Sequence, residues 1–434
     1  MNIASLKPDS NEVLTSAEQF PAPAAIGSRP AADDLYSWMQ LLATALVLIL
    51  IAAILHIGEA AYIAFAFTGA FVTHLMFHPA RRDLAASVLA GAGFGAIYYL
   101  HHGAVLDFFG SWIGIPGAFL GMGSLLVLAG QWIWAAPDQK QRALGLARDA
   151  ALVPLLCVGS MLVVGPAIAL TPKTYDHVLY IFDAKFVMAG LAGPPSWVAG
   201  RAFHEHAWLY RVCGYVYNSL PLGLAICLAL QWRDRLKNIW YPLDLRWLSI
   251  TLGCAGFLLY QVCPAAGPVY LFPKQFPFEV PAVASILAAP AWMQAVPRNG
   301  MPSLHFGWTL LLFWNLRRRV WWIALAAGAY VSLTALATLG LGEHYLADLM
   351  AAPPVALALQ ALWLRRRGAL RWIAIATGTA ITFAWLIAFR TGAALKIPAG
   401  AATWIAAGLT VLIPAILAWR LEYAVDQRNS AEGD

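Results

Sequence analysis

Charge is scarce in this chain. Of its 434 residues, 12% are Asp, Glu, Lys or Arg and 61% are hydrophobic, where a soluble domain carries about 25% charged residues. That shortage excludes a single water-soluble globule. One core cannot hide so much apolar surface, so lipid must solvate much of it. The mean hydropathy of +0.66 agrees. Cysteine is also sparse. The five, Cys157, Cys213, Cys227, Cys254 and Cys263, all fall in apolar stretches without metal-ligand spacing and read as small hydrophobes. Residues 1–35 lack the ordered parts of a signal peptide and are polar, with Ala, Pro and acids; a disordered cytoplasmic tail is expected there. No internal repeat is evident. Gly91-Ala92-Gly93-Phe94-Gly95 resembles a dinucleotide loop, but no strand precedes it, so close helix packing is expected.

What the chain has in abundance is apolar runs near the ~20 residues that span a bilayer as helix. Twelve are expected, at about 37–57, 60–78, 84–100, 114–135, 149–170, 208–231, 246–263, 302–316, 320–341, 344–364, 371–390 and 399–419. Charge supports that alternation. With the N-terminus inside, only Lys173, Lys185, Arg201, Arg211, Lys274, Arg298, Arg390 and Lys396 of the 28 basic residues fall outside, as the positive-inside rule requires. The fold expected is an all-α polytopic transmembrane bundle with both termini cytoplasmic. The net charge of +6 then reports topology, and no nucleic-acid partner is expected. Nineteen Trp suit interfacial belts. Two outside segments, roughly 171–207 and 264–301, are too apolar for solvated loops and are expected to lie on or dip into the membrane.

Two motifs carry chemistry. His344 and Asp348 are spaced i, i+4, which on a helix puts them on one face. The carboxylate can fix one ring nitrogen and leave the other as a nucleophile or base. The bland alternative is a surface pair at a helix end, but ionisable residues at a membrane edge are costly unless used. Pro302-Ser303-Leu304-His305 opens a predicted span. Pro suits a helix start, and Ser303 with the first-turn N–H groups can hold phosphate oxygens. The charge count places His305 and His344 on the same, non-cytoplasmic face. Elsewhere, His204-Glu205-His206 reads as a solvated loop more readily than as a metal or substrate site. His74 and His78, four apart, lack a third metal ligand. Asp176 and Asp183 flank an aromatic run and are candidates for a pocket rim.

The constellation resembles the type-2 phosphatidate phosphatase superfamily, whose second motif reads Pro-Ser-x-His and whose third ends in His-x3-Asp. It looks most like the inositol phosphorylceramide synthase branch. Pro264-Ala265-Ala266-Gly267-Pro268, Tyr217-Asn218-Ser219-Leu220-Pro221 and Gly193-Pro194-Pro195-Ser196-Trp197 add to the likeness, which covers roughly 172–365. The resemblance implies a six-helix catalytic core at 149–365, between a four-span extension at 36–148 and a two-span extension with a tail at 366–434. It implies His344 as nucleophile, Asp348 as its orienter and His305 as general acid, with no metal or cofactor. Ser303, Arg298, Lys274, Tyr270 and Tyr345 are the expected substrate contacts. The implied reaction is transfer or hydrolysis at a phospholipid or sphingolipid headgroup through a phosphohistidine, in a membrane of the bacterial inner-membrane kind. The alternatives are a polyprenyl-diphosphate or phosphatidate phosphatase, and a lipid-binding or transport protein with a degenerate site. Oligomeric state is not encoded. Two departures stand out: Thr338 occupies the place of an Arg six residues before the nucleophile, and the basic Lys-x6-Arg-Pro motif is absent. Phosphate charge is therefore expected to be met by Arg298, Lys274 and helix N-termini.

Overall fold

The computed structural model describes residues 60–102, 109–134, 136–186, 193–236, 243–293, 296–364 and 368–431. The expected tail at 1–35 and the first candidate span at 37–57 lie outside the described residues. The rest is helical: α1 (Ala60–Met76), α2 (Arg81–His102), α3 (Ser111–Trp134), α4 (Pro137–Leu170), α5 (Asp176–Asp183), α6 (Pro195–Glu205), α7 (Ala207–Asn218), α8 (Leu220–Leu236), α9 (Leu245–Val262), the short α10 (Pro268–Leu271), α11 (Leu304–Leu316), α12 (Trp321–Gly340), α13 (Leu346–Trp363), α14 (Ala369–Arg390) and α15 (Ala401–Ala431).

Among the described residues eight helices are long and apolar enough to cross a membrane, or nine if α7 and α8 form one bent span. The expected count of about twelve is thus not reached by length. The run at 302–316 yields a helix of 13 residues, about 20 Å at 1.5 Å per residue, short of a ~30 Å hydrocarbon core. The run at 208–231 is broken at Ser219, where the axes of α7 and α8 turn by 51°. Pro221 is the physical reason: without an N–H it cannot continue the ladder begun by α7, but it fits the first turn of a new helix. The break leaves Tyr217 in the last turn of α7, beside the site described below.

α13 is the axis of the assembly. It packs against α9, α11, α14 and α15, and nearly every residue from Ala347 to Leu357 is buried. The N-terminal helices pack through small residues. A Cβ at Gly121 of α3 would sit 1.9 Å from the Phe67 carbonyl of α1, and one at Gly123 would sit 2.1 Å from Ser87 O of α2. A Cβ at Gly91 would sit 2.8 Å from the Phe119 carbonyl and one at Gly95 3.2 Å from its ring, while Gly93 faces open space, so two of the run's three glycines serve the close packing expected from sequence.

The two apolar segments expected outside, at 171–207 and 264–301, pair with each other. Residues Lys173–Thr174 (β1) pair antiparallel with Ala291–Trp292 (β2), Lys173 opposite Trp292 and Thr174 opposite Ala291. Trp197 donates from Nε1 to Glu279 O at 3.0 Å and meets the rings of Tyr180, Phe272 and Phe276. Their aromatic content therefore builds a packed cap, while Phe278, Leu287 and Trp292 remain exposed on it. At the far ends of the helices that carry the site, charges pair: Arg246 with Asp244 and Asp149, Arg235 with Asp244, Arg319 with Asp234 and Arg317 with Glu422.

Candidate active site

α11 starts where it does because Ser303 is extended and its Oγ accepts from Phe306 N at 3.4 Å, an N-cap. His305 is the second residue of that helix. α13 starts after Tyr345, also extended, and Asp348 in its first turn accepts from Tyr345 N at 2.8 Å through Oδ2. That is the return half of a capping box. His344 precedes the cap and is not helical, which corrects the expectation that it shares a helix face with Asp348. The two still meet, because the chain turns sharply into the helix. His344 Nδ1 lies 2.9 Å from Gly300 O and 3.4 Å from Asp348 Oδ2, and the two residues are 2% and 0% exposed.

The segments interlock. Ser303 N donates to Asp348 O at 3.1 Å, and His344 N donates to Thr338 O at 3.1 Å. Thr338 is fully buried, so the position where the superfamily motif has Arg is closed to a long cation by packing. His305 stacks on Tyr217 with ring centroids 4.3 Å apart and planes 12° apart, and Tyr62 of α1 tilts against it at 5.2 Å. Two buried polar atoms, His305 Nε2 and Asp348 Oδ1, have no hydrogen-bond partner among the described residues. Buried polar groups are normally satisfied, so each exception calls for a physical account, a catalytic role being one.

The expected substrate contacts fare differently. The Ser303 hydroxyl is fully buried and serves as the cap. Arg298 is 1% exposed and turned into main-chain carbonyls: Nε donates to Thr171 O at 2.7 Å, Nη1 to Val296 O at 2.7 Å, and Nη2 to Met293 O. Its guanidinium ties Met293 and Val296 to Thr171 at the end of α4, so in this structure its donors are directed at carbonyls. Lys274 is exposed. Tyr270 donates to the Glu343 carboxylate at 3.1 Å, beside His344. Tyr345 is fully buried. His204 lies edge-on to Phe278 at 4.7 Å. His74 is buried but His78 lies beyond the end of α1 with φ 51° and is exposed, so the pair shares no helix face.

Asp176 and Asp183, expected at a pocket rim, are fully buried. Asp176 accepts from Ala266 N and from Gly267 N, the latter at 2.8 Å. Asp183 accepts from Leu346 N at 2.9 Å and from Ser196 Oγ at 3.1 Å. Burial pushes the Asp183 carboxyl up to about 7 against the lowering effect of those donors, and raises Asp176 in the same way. Carboxylates inside an apolar run were the available signal. The Gly300 carbonyl had none, since every residue carries one.

Residues 190–364 match the family model of the PAP2 superfamily. The matched stretch runs from just before α6 to the end of α13 and holds His305, His344 and Asp348; Tyr62, Asp176 and Asp183 lie outside it. Neither a search of curated proteins nor one of solved structures returns a match.

Proposed function

We propose that this integral membrane protein is a PAP2-type lipid phosphotransferase or phosphatase working through a phosphohistidine. The carrying observation is the convergence of His344, Asp348 and the Gly300 carbonyl beside a buried His305 whose Nε2 has no hydrogen-bond partner among the described residues. A proton on Nδ1 of His344 has acceptors in Gly300 O and the Asp348 carboxylate, which leaves the lone pair on Nε2. That nitrogen attacks phosphorus. The bond from phosphorus to the leaving oxygen breaks, and His305 Nε2 gives that oxygen its proton. Water or an alcohol then attacks phosphorus, the bond from phosphorus to His344 Nε2 breaks, and the nucleophile's proton returns to His305. No step calls for a metal.

The electrostatics favour a phosphodiester headgroup over a phosphate dianion. Asp176, Asp183 and Asp348 are all buried around the loops, Arg298 is engaged by carbonyls, and Thr338 stands in the place of an Arg. With Arg298 engaged and Thr at 338, neither position supplies a cation to meet a second negative charge on the substrate. This supports headgroup transfer of the inositol phosphorylceramide synthase kind over phosphatidate or polyprenyl-diphosphate hydrolysis. The end of the bundle that carries the site is read as non-cytoplasmic from the distribution of basic residues.

The test is turnover by purified protein in detergent with excess EDTA. A phosphodiester lipid with a ceramide or diacylglycerol acceptor should give a new headgroup lipid by mass spectrometry. Release of inorganic phosphate from phosphatidate or a polyprenyl diphosphate would select the hydrolase instead. Activity abolished by EDTA and restored by Mg²⁺ or Mn²⁺ would overturn the mechanism.

A further inference from the structure

α5 precedes the matched stretch, yet its carboxylates take main-chain donors from the 264–268 loop and from Leu346, two residues after His344. Its two terminal residues are carboxylates seven apart, close to two full turns, which brings them to one face. At the first end, Asp176 accepts from Ala266 N at 3.0 Å and from Gly267 N at 2.8 Å. Gly267 has φ +116°, and a Cβ there would lie 2.4 Å from the Glu343 carbonyl oxygen. Val269 N donates to Gly342 O at 3.0 Å, and Gly300 N donates to Ala265 O at 2.8 Å. The turn that Asp176 holds is therefore the surface on which both the approach to His344 and the residue whose carbonyl faces His344 are seated. At the other end, Asp183 takes the N–H of Leu346 at 2.9 Å. Leu346 opens α13, between His344 and Asp348. Asp183 also takes the Ser196 hydroxyl at 3.1 Å.

Burying two carboxylates is a costly way to pack a helix. Here their acceptors are spent on main-chain N–H groups whose positions decide where His344 and Asp348 lie. The back of α5 is held by the C-terminal helices. Phe182 meets Trp385 and Phe389 of α14, and Phe186 meets Trp404 of α15. Lys185 Nζ donates to Leu395 O at 2.5 Å and to Ile397 O at 2.6 Å. We propose that Asp176 and Asp183 are positioning residues that set the main chain around His344 from one short helix, with α14 and α15 as the buttress of that helix. The role rests on the function proposed above.

The test compares Asp183→Ala, Asp183→Asn, Asp176→Ala and the packing control Val178→Ala, a buried residue of the same helix. Each is measured for kcat, KM, melting temperature and hydrogen exchange of peptides covering 264–268 and 343–349. Misplacing a reacting group by about 1 Å costs on the order of 10²-fold. Asp183→Ala and Asp176→Ala should therefore lose roughly that in kcat with KM held, and lose exchange protection in those peptides. Asp183→Asn keeps an acceptor for Leu346 N and a donor for Ser196, and should restore most of kcat. Val178→Ala should lower the melting temperature and leave kcat in place. The proposal is overturned if Asp183→Ala keeps wild-type kcat, if Asp183→Asn is as damaged as Asp183→Ala, or if Val178→Ala matches Asp183→Ala. Should the wild type turn over no lipid, the proposed function fails, while unchanged exchange at 343–349 in Asp183→Ala would still separately sink the positioning role.

Discussion

Nδ1 of His344 has two acceptors, and they are not equal. Gly300 O at 2.9 Å is a normal hydrogen bond, while Asp348 Oδ2 at 3.4 Å is a longer, mainly electrostatic contact. Losing the carboxylate charge should thus hurt less than losing the ring. His344→Ala is expected to abolish turnover, with Asp348→Asn retaining a measurable fraction because the Gly300 carbonyl still selects the tautomer. His305→Ala should fall by about 10²–10⁴-fold, the usual worth of a general acid–base group. Single-turnover kinetics with a chromogenic phosphodiester separate the cases, since an activated leaving group needs less protonation and should rescue His305→Ala but not His344→Ala. Wild-type rates in His344→Ala would remove the assignment. Tyr217 and Tyr62 enclose His305 from two other helices. An aromatic face stabilises an imidazolium by roughly 0.5–2 kcal/mol, so Tyr217→Leu should slow the protonation step by about 2- to 30-fold, whereas Tyr217→Phe should not.

Among the elements, the loop at 264–268 is tightly constrained. Gly267 combines a left-handed backbone with contact against the main chain of Glu343. A side chain there has neither room nor a favourable φ, and strain of this kind costs about 1–3 kcal/mol. Gly267→Ala is expected to lower the melting temperature and to depress kcat, because the carbonyl it would push on belongs to the residue before His344. Gly400, by contrast, has φ +79° but open space around its Cβ, so Gly400→Ala should show strain without loss of kcat. A melting curve alongside a rate measurement for both variants distinguishes the close approach from the backbone conformation. The break between α7 and α8 is local in origin, set by Pro221, and it delivers Tyr217 to His305.

For the whole molecule, the quantity to measure is sidedness. The site end carries few basic residues, and the remote end carries the paired arginines of α8, α9 and the α11–α12 turn. The positive-inside rule assigns the remote end to the cytoplasm. A cysteine replacing exposed Lys274 should react with an impermeant thiol reagent in intact cells, and one replacing exposed Arg318 should react only after permeabilisation. The reverse pattern would put the substrate in the cytoplasmic leaflet. The N-terminal helices enter this picture through α1, which packs on α4 and α8 and brings Tyr62 to the site.

The sequence by itself determined what depends on neighbours along the chain. Apolar runs became helices, and the spacing of Pro302–His305 and His344–Asp348 pointed to segments that the fold brings together; the break that Pro221 sets is local too, but hydropathy reads 208–231 as one span. Helix length across a bilayer was less legible, since a run such as 302–316 reads as a span by hydropathy and yields only 13 residues of helix. Only the tertiary structure decided that His344 stands off the helix, that Gly300 O faces its ring and that Arg298 is spent on carbonyls. It also decided that Asp176 and Asp183 reach main-chain donors 90 and 163 residues away. The reason is physical. A main-chain carbonyl or N–H is the same chemical group at every position, so a site oriented by such groups leaves no side-chain pattern, and a buried carboxylate shows its partner only once the chain has brought the two together.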